Sequence, residues 1–378
     1  MKVTWKRLLT GVALAAVFLY IGKGIGGAAE ARQLSEEGFV SAPAGATVSA
    51  APDRVTESVS GASVSLPESI SGAISTAAEV IESWQAEGAG SFSGDAGYSF
   101  DKGTTYIPLP AGTDSVSIKN TNGNIEIKQG NVKELEIQMT VVVHQATAEV
   151  AKEIANKSGM KAGTGANLEI ETYSEFYGNH QSPSLELTVT LPQGMKAELQ
   201  ARTENGNLSL SKVSSTGKIK LSSVNGNITA TGIPEELVLH TVNGDVQVSE
   251  AKSSVEVKLT NGNVQASQIS GDLAVKAVNG NLTVKDALAA VRASTVAGNI
   301  EVESRKIGGN WTVTTAVGDL ELAWPGGAGV EVDAESGFDE IETDFPLTVK
   351  NHKAHGRIGA GTYQIHAKAM AGLSLMQN

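Results

Sequence analysis

Apolar and polar residues alternate along the second half of the chain, and the alternation repeats at a fixed step. Each repeat opens on a short phrase, Asn-Gly-Asn or a close variant, followed by an apolar-polar-apolar run. The glycines of this phrase are Gly206, Gly226, Gly244, Gly262, Gly280, Gly298 and Gly318. Their spacing is constant from Gly226 to Gly298 and slightly longer in the first and last intervals. A constant period in this range is typical of stacked-repeat architectures.

Each repeat contains two predicted strands. After Gly244 the run Val246-Gln247-Val248 alternates, and a second alternation, Val255-Glu256-Val257, begins at the middle of the repeat. Period-two alternation with β-branched residues indicates half-buried strands. The connection between the two strands keeps the same step, because apolar residues recur in it and indicate an inward-pointing corner. These residues are Ile233, Ala251, Ile269 and Ala287.

Strands that repeat at a constant step can stack in parallel, each on its counterpart in the next coil. We therefore predict an all-β fold, a parallel β-solenoid with about 18 residues per coil, regular over residues 199–322 and capped on either side. The glycines are predicted to turn the chain sharply with positive φ, and the asparagines to form amide ladders. Asn-Gly is also a hairpin signal, so a meander of hairpins is the alternative. The solenoid is favoured because both half-repeats hold one register.

The regions before the array differ in composition. Residues 97–378 form the predicted solenoid domain, which includes a helix over 147–158 that Thr147 caps and Gly159 ends. Residues 30–96 are rich in Ala, Ser, Gly and Glu, and residues 35–95 hold nine acids and one base. Such a composition predicts a disordered linker.

The N-terminus predicts a membrane segment. Residues 1–7 carry Lys2, Lys6 and Arg7 and precede the mainly apolar segment 8–29. Positive charge ahead of an apolar run directs the rest of the chain across the membrane. Segment 8–29 is long enough for a transmembrane anchor; the alternative is a cleaved signal peptide, with Ala29-Glu30-Ala31 as the cleavage site. Both predictions place the repeat domain outside the cytoplasm, on a single-pass membrane protein or as a secreted one.

Charge and composition exclude several classes of function. The net charge is −12, and without a basic footprint nucleic acid is not an expected partner. Cysteine is absent, which excludes disulfides and thiol catalysis. His352 and His355 form the one close histidine pair, too weak a pattern to predict a metal site. Phosphate-binding loops and hydrolase motifs are missing, so we predict no catalytic residue, no cofactor and no enzyme.

One polar row is the candidate binding face. The alternation leaves a row of outward side chains on the strand that follows each glycine, and these are Thr229, Gln247, Gln265, Thr283 and Glu301. They repeat at the coil spacing of about 4.8 Å. A flat row suits an extended polymer such as a wall glycan better than a small molecule, which needs a concave pocket. The alternative is an ordinary solvated face. Gln247, Gln265 and Thr283 are the candidate binding residues.

The order of these features resembles a known family. A membrane segment, a linker, an opening copy Asn122-Gly123-Asn124-Ile125, a strand ending Thr190-Leu191-Pro192 and then the repeats are similar to the bacterial β-strand repeat family of unknown function whose members are candidate adhesins. The resemblance covers residues 97–378. It implies a right-handed β-solenoid and supplies no catalytic residues. Some relatives are membrane-anchored and linked to cell-envelope stress operons in Gram-positive bacteria.

Three functional hypotheses are compatible with these features. The first is an adhesin-like binding or scaffold module of the bacterial envelope, with a cell-wall polymer or another envelope protein as its partner. The second, which rests on the resemblance, is an accessory sensor or regulator of an envelope-stress response. The third, a glycan-active enzyme, is the least favoured because the outward row contains no cluster of acids and bases.

Overall fold

The structure is a computed structural model that describes residues 91–92, 97–110, 112–175, 182–215 and 217–378. The predicted segments 1–7 and 8–29, and nearly all of the predicted linker 30–96, lie outside these ranges. No helix within the described ranges is both long and apolar enough to cross a membrane.

The described residues form mainly β-strands. In chain order these are β1 (Ser91–Phe92), β2 (Tyr98–Ile107), β3 (Ser115–Asn122), β4 (Ile125–Gly130), β5 (Leu135–Val143), β6 (Gly159–Ala162), β7 (Asn167–Tyr173), β8 (Ser184–Pro192), β9 (Glu198–Asn205), β10 (Leu208–Ser211), β11 (Ile219–Asn225), β12 (Ile228–Thr231), β13 (Leu237–Asn243), β14 (Val246–Ala251), β15 (Val255–Asn261), β16 (Val264–Ile269), β17 (Leu273–Asn279), β18 (Leu282–Ala287), β19 (Val291–Ala297), β20 (Ile300–Glu303), β21 (Trp311–Val317), β22 (Leu320–Trp324), β23 (Val330–Ser336), β24 (Ile341–Thr343), β25 (Thr348–Lys350), β26 (Lys353–Ile358), β27 (Tyr363–Ala369) and β28 (Leu373–Gln377). One helix, α1 (Ala148–Lys157), lies between β5 and β6.

The strands belong to two sheets. The first sheet has the order β1-β2-β5-β8-β4-β10-β12-β14-β16-β18-β20-β22-β28-β24. The second sheet has the order β25-β26-β23-β27-β21-β19-β17-β15-β13-β11-β9-β3-β7-β6. The apolar side chains of both sheets form one hydrophobic core, so the all-β, solenoid-like arrangement predicted from the alternation is confirmed.

Successive coils stack in parallel between β9 and β22. Val246 in β14 lies opposite Val264 in β16, and Val255 in β15 lies opposite Leu273 in β17. Both sheets therefore advance by the predicted step in these coils. Each Asn-Gly phrase joins strands of different sheets, so the meander of hairpins is wrong for these coils. The inward side chains of the coils are buried; Val264 and Leu273, for example, are each 1% exposed.

Glycines stack on one another at one edge of the coils, which we call the turn edge. The seven repeat glycines have φ between 140° and 159°. A Cβ built on Gly262 would overlap the carbonyl oxygen of Gly244, and the same overlap recurs at the other repeat glycines. Glycine is therefore required twice, by the backbone conformation and by the close approach of neighbouring coils.

Two sets of side chains reinforce the turn edge. The first asparagine of each phrase forms an amide ladder, in which Nδ2 donates to the Oδ1 of the preceding coil at 2.8–2.9 Å. Its members are Asn122, Asn205, Asn225, Asn243, Asn261 and Asn279. Inside the core, hydroxyls such as that of Thr241 donate to the glycine carbonyl of the preceding coil, at 3.0 Å for Gly226. Leu259 and Ala277 hold this position in two coils, where no hydroxyl is available.

The opposite edge, which we call the corner edge, is built on buried side chains. Its inward residues are at most 8% exposed and are Val213, Ile233, Ala251, Ile269, Ala287 and Ile307. The residue before the corner has positive φ in five coils, at Lys212, Gly232, Glu250, Gln268 and Asp286. The length of the connection varies here, from residues 252–254 in one coil to residues 212–218 in another.

Distant copies of the phrase complete the stack at both ends. β3 pairs with β9, with Asn122 opposite Asn205, and β28 pairs with β22, with Leu373 opposite Leu320. The chain between these partners leaves the stack and returns. It adds antiparallel pairs, β5 with β8 and β6 with β7 at one end and β23 with β26 at the other. β2, which precedes β3 in the chain, extends the first cap by pairing antiparallel with β5. The sequence predicted caps, but not their antiparallel pairing.

Helix α1 belongs to the first of these caps and matches the predicted helix. The Oγ1 of Thr147 accepts a hydrogen bond from the backbone N–H of Val150 at 3.4 Å, as expected of a threonine N-cap. In the second cap, Trp324 stacks on Phe345 with ring centroids 4.3 Å apart and meets Trp311 edge-on at 6.3 Å. These aromatic rings close the apolar core at the end of the stack.

Candidate functional site

The predicted polar row lies on the outer face of the first sheet. Strand pairing places Thr229, Gln247, Gln265, Thr283 and Glu301 opposite one another in successive coils. Gln247 and Gln265 are exposed, and Thr283 is half-buried. The structure thus brings the three predicted binding residues together in one line. We call this line the glutamine row.

A second row of side chains runs parallel to the glutamine row, two positions earlier in each coil. It consists of the last residue of each phrase, and its members beside the glutamine row are Asn227, Asp245, Asn263 and Asn281. The Oδ1 of Asn227 accepts from the backbone N–H of Asp245 at 2.8 Å, and the Oδ1 of Asp245 accepts from that of Asn263 at 2.7 Å. We call this line the turn row. Its side chains are held in place because each accepts a backbone hydrogen bond from the next coil.

A shallow groove of about 450 Å³ lies between the two rows. Its floor contains Ile228, Val246 and Val264, whose side chains point into the core. Its walls are the turn row on one side and residues 229, 247, 265 and 283 on the other. The groove therefore has a floor of peptide backbone, because these side chains are turned into the core, and two polar walls that repeat once per coil.

The groove walls offer both donors and acceptors. The side chains of Gln247, Gln265 and Thr283 make no hydrogen bond to other described residues, so their amides and hydroxyl are available. Asp245 is the one ionisable side chain among the groove residues. Glu301, one coil beyond, lies 3.8 Å from Lys285 as an exposed ion pair. The groove is thus nearly uncharged, unlike the strongly acidic chain as a whole.

The remaining predicted residues have structural positions. The seven glycines lie in the stack of the turn edge, and none of them lines the groove. His352 and His355 lie at the hairpin of β25 and β26, where the Nδ1 of His352 is 3.1 Å from the carbonyl oxygen of Asp339. No group of three or more His, Cys, Asp or Glu in the part of the chain that the structure describes is placed to hold a metal ion.

The turn row is the part of the groove that sequence reasoning missed. The sequence predicts amide ladders for the asparagines, whereas the second asparagine of the phrase accepts a backbone hydrogen bond and forms a wall of the groove. A signal was present, because the second asparagine of each phrase is two positions before the predicted row and therefore points to the same face of the strand.

Comparison with known protein families gives one match. A family model described as Toastrack DUF4097 matches residues 135–372. The chain belongs to the Toastrack DUF4097 family. The Toastrack match begins at β5 and ends just before β28, so it contains the regular coils and parts of both caps. No curated protein is detectably similar to the chain in sequence.

Three solved structures of bacterial proteins are similar to the Toastrack chain, each described as a candidate adhesion protein or adhesin. One, from Clostridium sporogenes, has 14% identity and a TM-score of 0.25, and covers 72% of this chain and 96% of its own. The Bacteroides fragilis protein has 11% identity, coverages of 73% and 95% and a TM-score of 0.32. The Parabacteroides distasonis protein has 12% identity, coverages of 75% and 98% and a TM-score of 0.28. Similarities at these TM-scores carry no argument about what this chain binds.

Proposed function

We propose that the chain is a non-enzymatic, adhesin-like binding module of the bacterial envelope, and that its groove holds an extended, uncharged polar polymer such as a wall glycan. The observation that carries the proposal is the pair of parallel rows, the glutamine row and the turn row. Free amides and hydroxyls repeat along the glutamine row at the coil spacing of about 4.8 Å, and the turn row faces them with asparagines and one carboxylate. A polymer with repeating hydroxyls can meet the same set of partners in several coils.

The chemistry of the walls supports an uncharged ligand. Carboxamides and hydroxyls both donate and accept, as sugar hydroxyls do, and Asp245 adds one acceptor. Hydrolysis of glycosidic bonds ordinarily uses two carboxyl groups across the scissile bond, whereas one carboxylate lines this groove, so we infer binding without turnover.

The proposed location extends this function. We propose that segment 8–29 anchors the chain in the cell membrane, that residues 30–96 act as a linker and that the coils, right-handed as the resemblance implies, lie outside the cytoplasm. Protease added to intact cells should then release the repeat domain. Full protection of the domain in intact cells, with cleavage after lysis, would refute this orientation.

The binding proposal is tested by charging the groove. In one variant Gln247, Gln265 and Thr283 are each replaced by Lys, which fills the groove with long cationic side chains. The probe is purified peptidoglycan stripped of its anionic polymers, and the measurement is the fraction of protein that sediments with it. The variant should lose at least about tenfold in apparent affinity, a loss of the size expected when several hydrogen bonds are removed.

A matched control separates the groove from the added charge. Ser254, Ser270 and Leu288, which are exposed at the corner edge, are each replaced by Lys. This control gains the same charge and should sediment like the parent. The proposal fails if the parent does not bind, or if both variants lose binding equally while their circular dichroism spectra stay native.

A further inference from the structure

The outer face of the second sheet carries a line of basic side chains, which lies apart from the groove on the first sheet. Each strand of this sheet has two neighbouring outward positions, and each position lies opposite the same position in the next coil. One or the other position holds a basic residue in each of six successive coils. These residues, which we call the cationic strip, are Arg202, Lys220, His240, Lys258, Lys276 and Arg292. At about 4.8 Å per coil they span about 24 Å.

The strip is exposed and largely unpaired. Arg202, Lys220, Lys276 and Arg292 are exposed and make no ion pair or hydrogen bond with other described residues. Glu256 is the one acid at these positions in the six coils, and it lies 2.5 Å from the Nζ of Lys258. The concentration of positive charge is unusual for a chain with a net charge of −12. Unpaired cations in a row create a local positive potential that an anionic ligand can use.

Glu256, beside the strip, and His240, within it, have pKa values that neighbouring cations shift downwards. The hydrogen bond from Lys258 lowers the pKa of Glu256, and the charges of Lys218 and Lys276 act in the same direction. Partial burial lowers the pKa of His240, and the charges of Lys258 and Arg202 lower it further. The carboxylate responds as expected near several cations, whereas burial is the main cause at His240, whose lowered pKa leaves it mostly uncharged at about pH 7.

The residues on either side of the strip indicate whether its ligand is a single chain or a flat surface. On the side of the corner edge the exposed acids Glu198, Glu236 and Asp272 border the strip, together with Lys218, which forms an ion pair with Glu236. On the side of the turn edge the next outward position holds Glu204 and Thr260 in two coils and valines in the other four, of which Val278 is 43% and Val296 37% exposed. An anionic bilayer laid over this face would meet the acids, which would repel it. A single anionic chain can follow the cations between the two margins.

We propose that the cationic strip binds a linear phosphodiester polymer with polyol units, lying along the direction in which the coils stack. Lys and Arg are the side chains that best bind phosphate oxygens. The four exposed and unpaired cations, Arg202, Lys220, Lys276 and Arg292, lie along one line and match a ligand with repeated charges. Single-stranded nucleic acid is the weaker fit, because the flanking row offers valines where bases would need aromatic side chains for stacking. This inference is independent of the groove, which lies on the other sheet.

The experiment measures binding of fluorescently labelled poly(glycerol phosphate) to the full chain in nonionic detergent, by anisotropy at several salt concentrations. In the test variant Lys220, Lys276 and Arg292 are each replaced by Gln. We expect at least a tenfold loss of affinity. Each removed phosphate contact should also lower the slope of log affinity against log salt by about 0.7, as for a single-stranded polyanion.

The control variant changes the net charge equally at other places. Lys252, Lys285 and Lys306 are exposed outside the strip, and each is replaced by Gln. This variant should bind like the parent with an unchanged salt slope. Equal losses in the two variants would mean that only net charge matters and would overturn the proposal, as would unchanged binding by the test variant.

Competition distinguishes the class of ligand. A single-stranded oligonucleotide of equal charge and mixed micelles containing phosphatidylglycerol are added to the labelled complex in separate titrations. The unlabelled polymer should displace the label at least tenfold more effectively than either competitor. Equal displacement by the oligonucleotide or by the anionic micelles would overturn the assignment to a polyol phosphate polymer.

Discussion

The turn edge and the corner edge solve the same problem, reversal of the chain, by different physical means. At the turn edge every regular coil passes between the sheets through one Gly-Asn or Gly-Asp pair, because stacked backbones leave no room for a side chain. At the corner edge an apolar side chain such as Ile269 fills the space, and the connection varies in length. Backbone packing demands one conformation, whereas side-chain packing tolerates several. Changes should therefore cost more at the turn edge.

The largest effect is expected for Gly262→Val. The substitution places a β-branched side chain at φ 140° and drives its Cβ into the Gly244 carbonyl oxygen, so the free energy of unfolding should fall by about 3 kcal/mol or more. Urea titration followed by circular dichroism measures it. Ser270→Val introduces the same residue at an exposed corner position and should change stability by less than about 0.5 kcal/mol. Similar losses in both variants would contradict the difference between the edges.

The amide ladder gives the next effect. Asn261→Ala removes the hydrogen bond that Asn261 donates to Asn243 and the one that it accepts from Asn279. Because the bonds are exposed, the expected loss is about 1 kcal/mol. The ladder stops where Ala297 replaces asparagine, so Ala297→Asn should raise stability by about 0.5 kcal/mol. If neither variant shifts the urea midpoint, the ladder contributes nothing to stability.

A gain in stability is also expected in a coil that lacks a hydroxyl at the inward position of its turn edge. Ala277 occupies the inward position from which Thr295, one coil later, donates to the Gly280 carbonyl oxygen at 3.2 Å. Ala277→Thr should allow the same bond to Gly262. Ala277→Val adds nearly the same volume without a donor, so the threonine variant should be more stable than the valine variant by about 1 kcal/mol. A valine variant as stable as the threonine variant would show that these hydroxyls are dispensable.

The smallest effect concerns an ion pair at the corner edge. Arg305 donates from Nε and Nη2 to both carboxylate oxygens of Asp286, at 2.9 Å and 2.8 Å. The hydrogen bonds from Arg305 lower the pKa of Asp286. A depressed pKa means that the contribution to stability is present above the unfolded-state pKa and is lost as the pH falls through the folded-state pKa.

Arg305→Gln should therefore lower the melting temperature slightly at about pH 7, with no difference from the parent at about pH 2 or in about 1 M salt. The effect is small because exposed ion pairs contribute little. A difference that persists at low pH would assign it to packing of the arginine stem.

The predictability of the binding face also divides along physical lines. Gln247, Gln265 and Thr283 could be aligned from the sequence, because one period and one alternation determine which side chains share a row. The turn row was missed, since its asparagines were expected in an amide ladder and not in the wall of a groove. The cationic strip was missed because its basic residues do not recur at one position of the repeat. Lys220 and Arg292 lie at the outward position two residues before that of Lys258.

The sequence by itself determined the length of the coil, the inward and outward faces and the places of the glycines, because each coil repeats the contacts of its neighbour. Only the tertiary structure decided that Asn122 stacks on Asn205 and Leu373 on Leu320. These pairings close long excursions of the chain, and loop-closure entropy opposes them until the exposed ends of the core are covered. The balance between loop-closure entropy and coverage of the core cannot be predicted from a local sequence pattern. The antiparallel caps, the depth of the groove and the acidic margin of the strip are therefore visible only in the assembled structure.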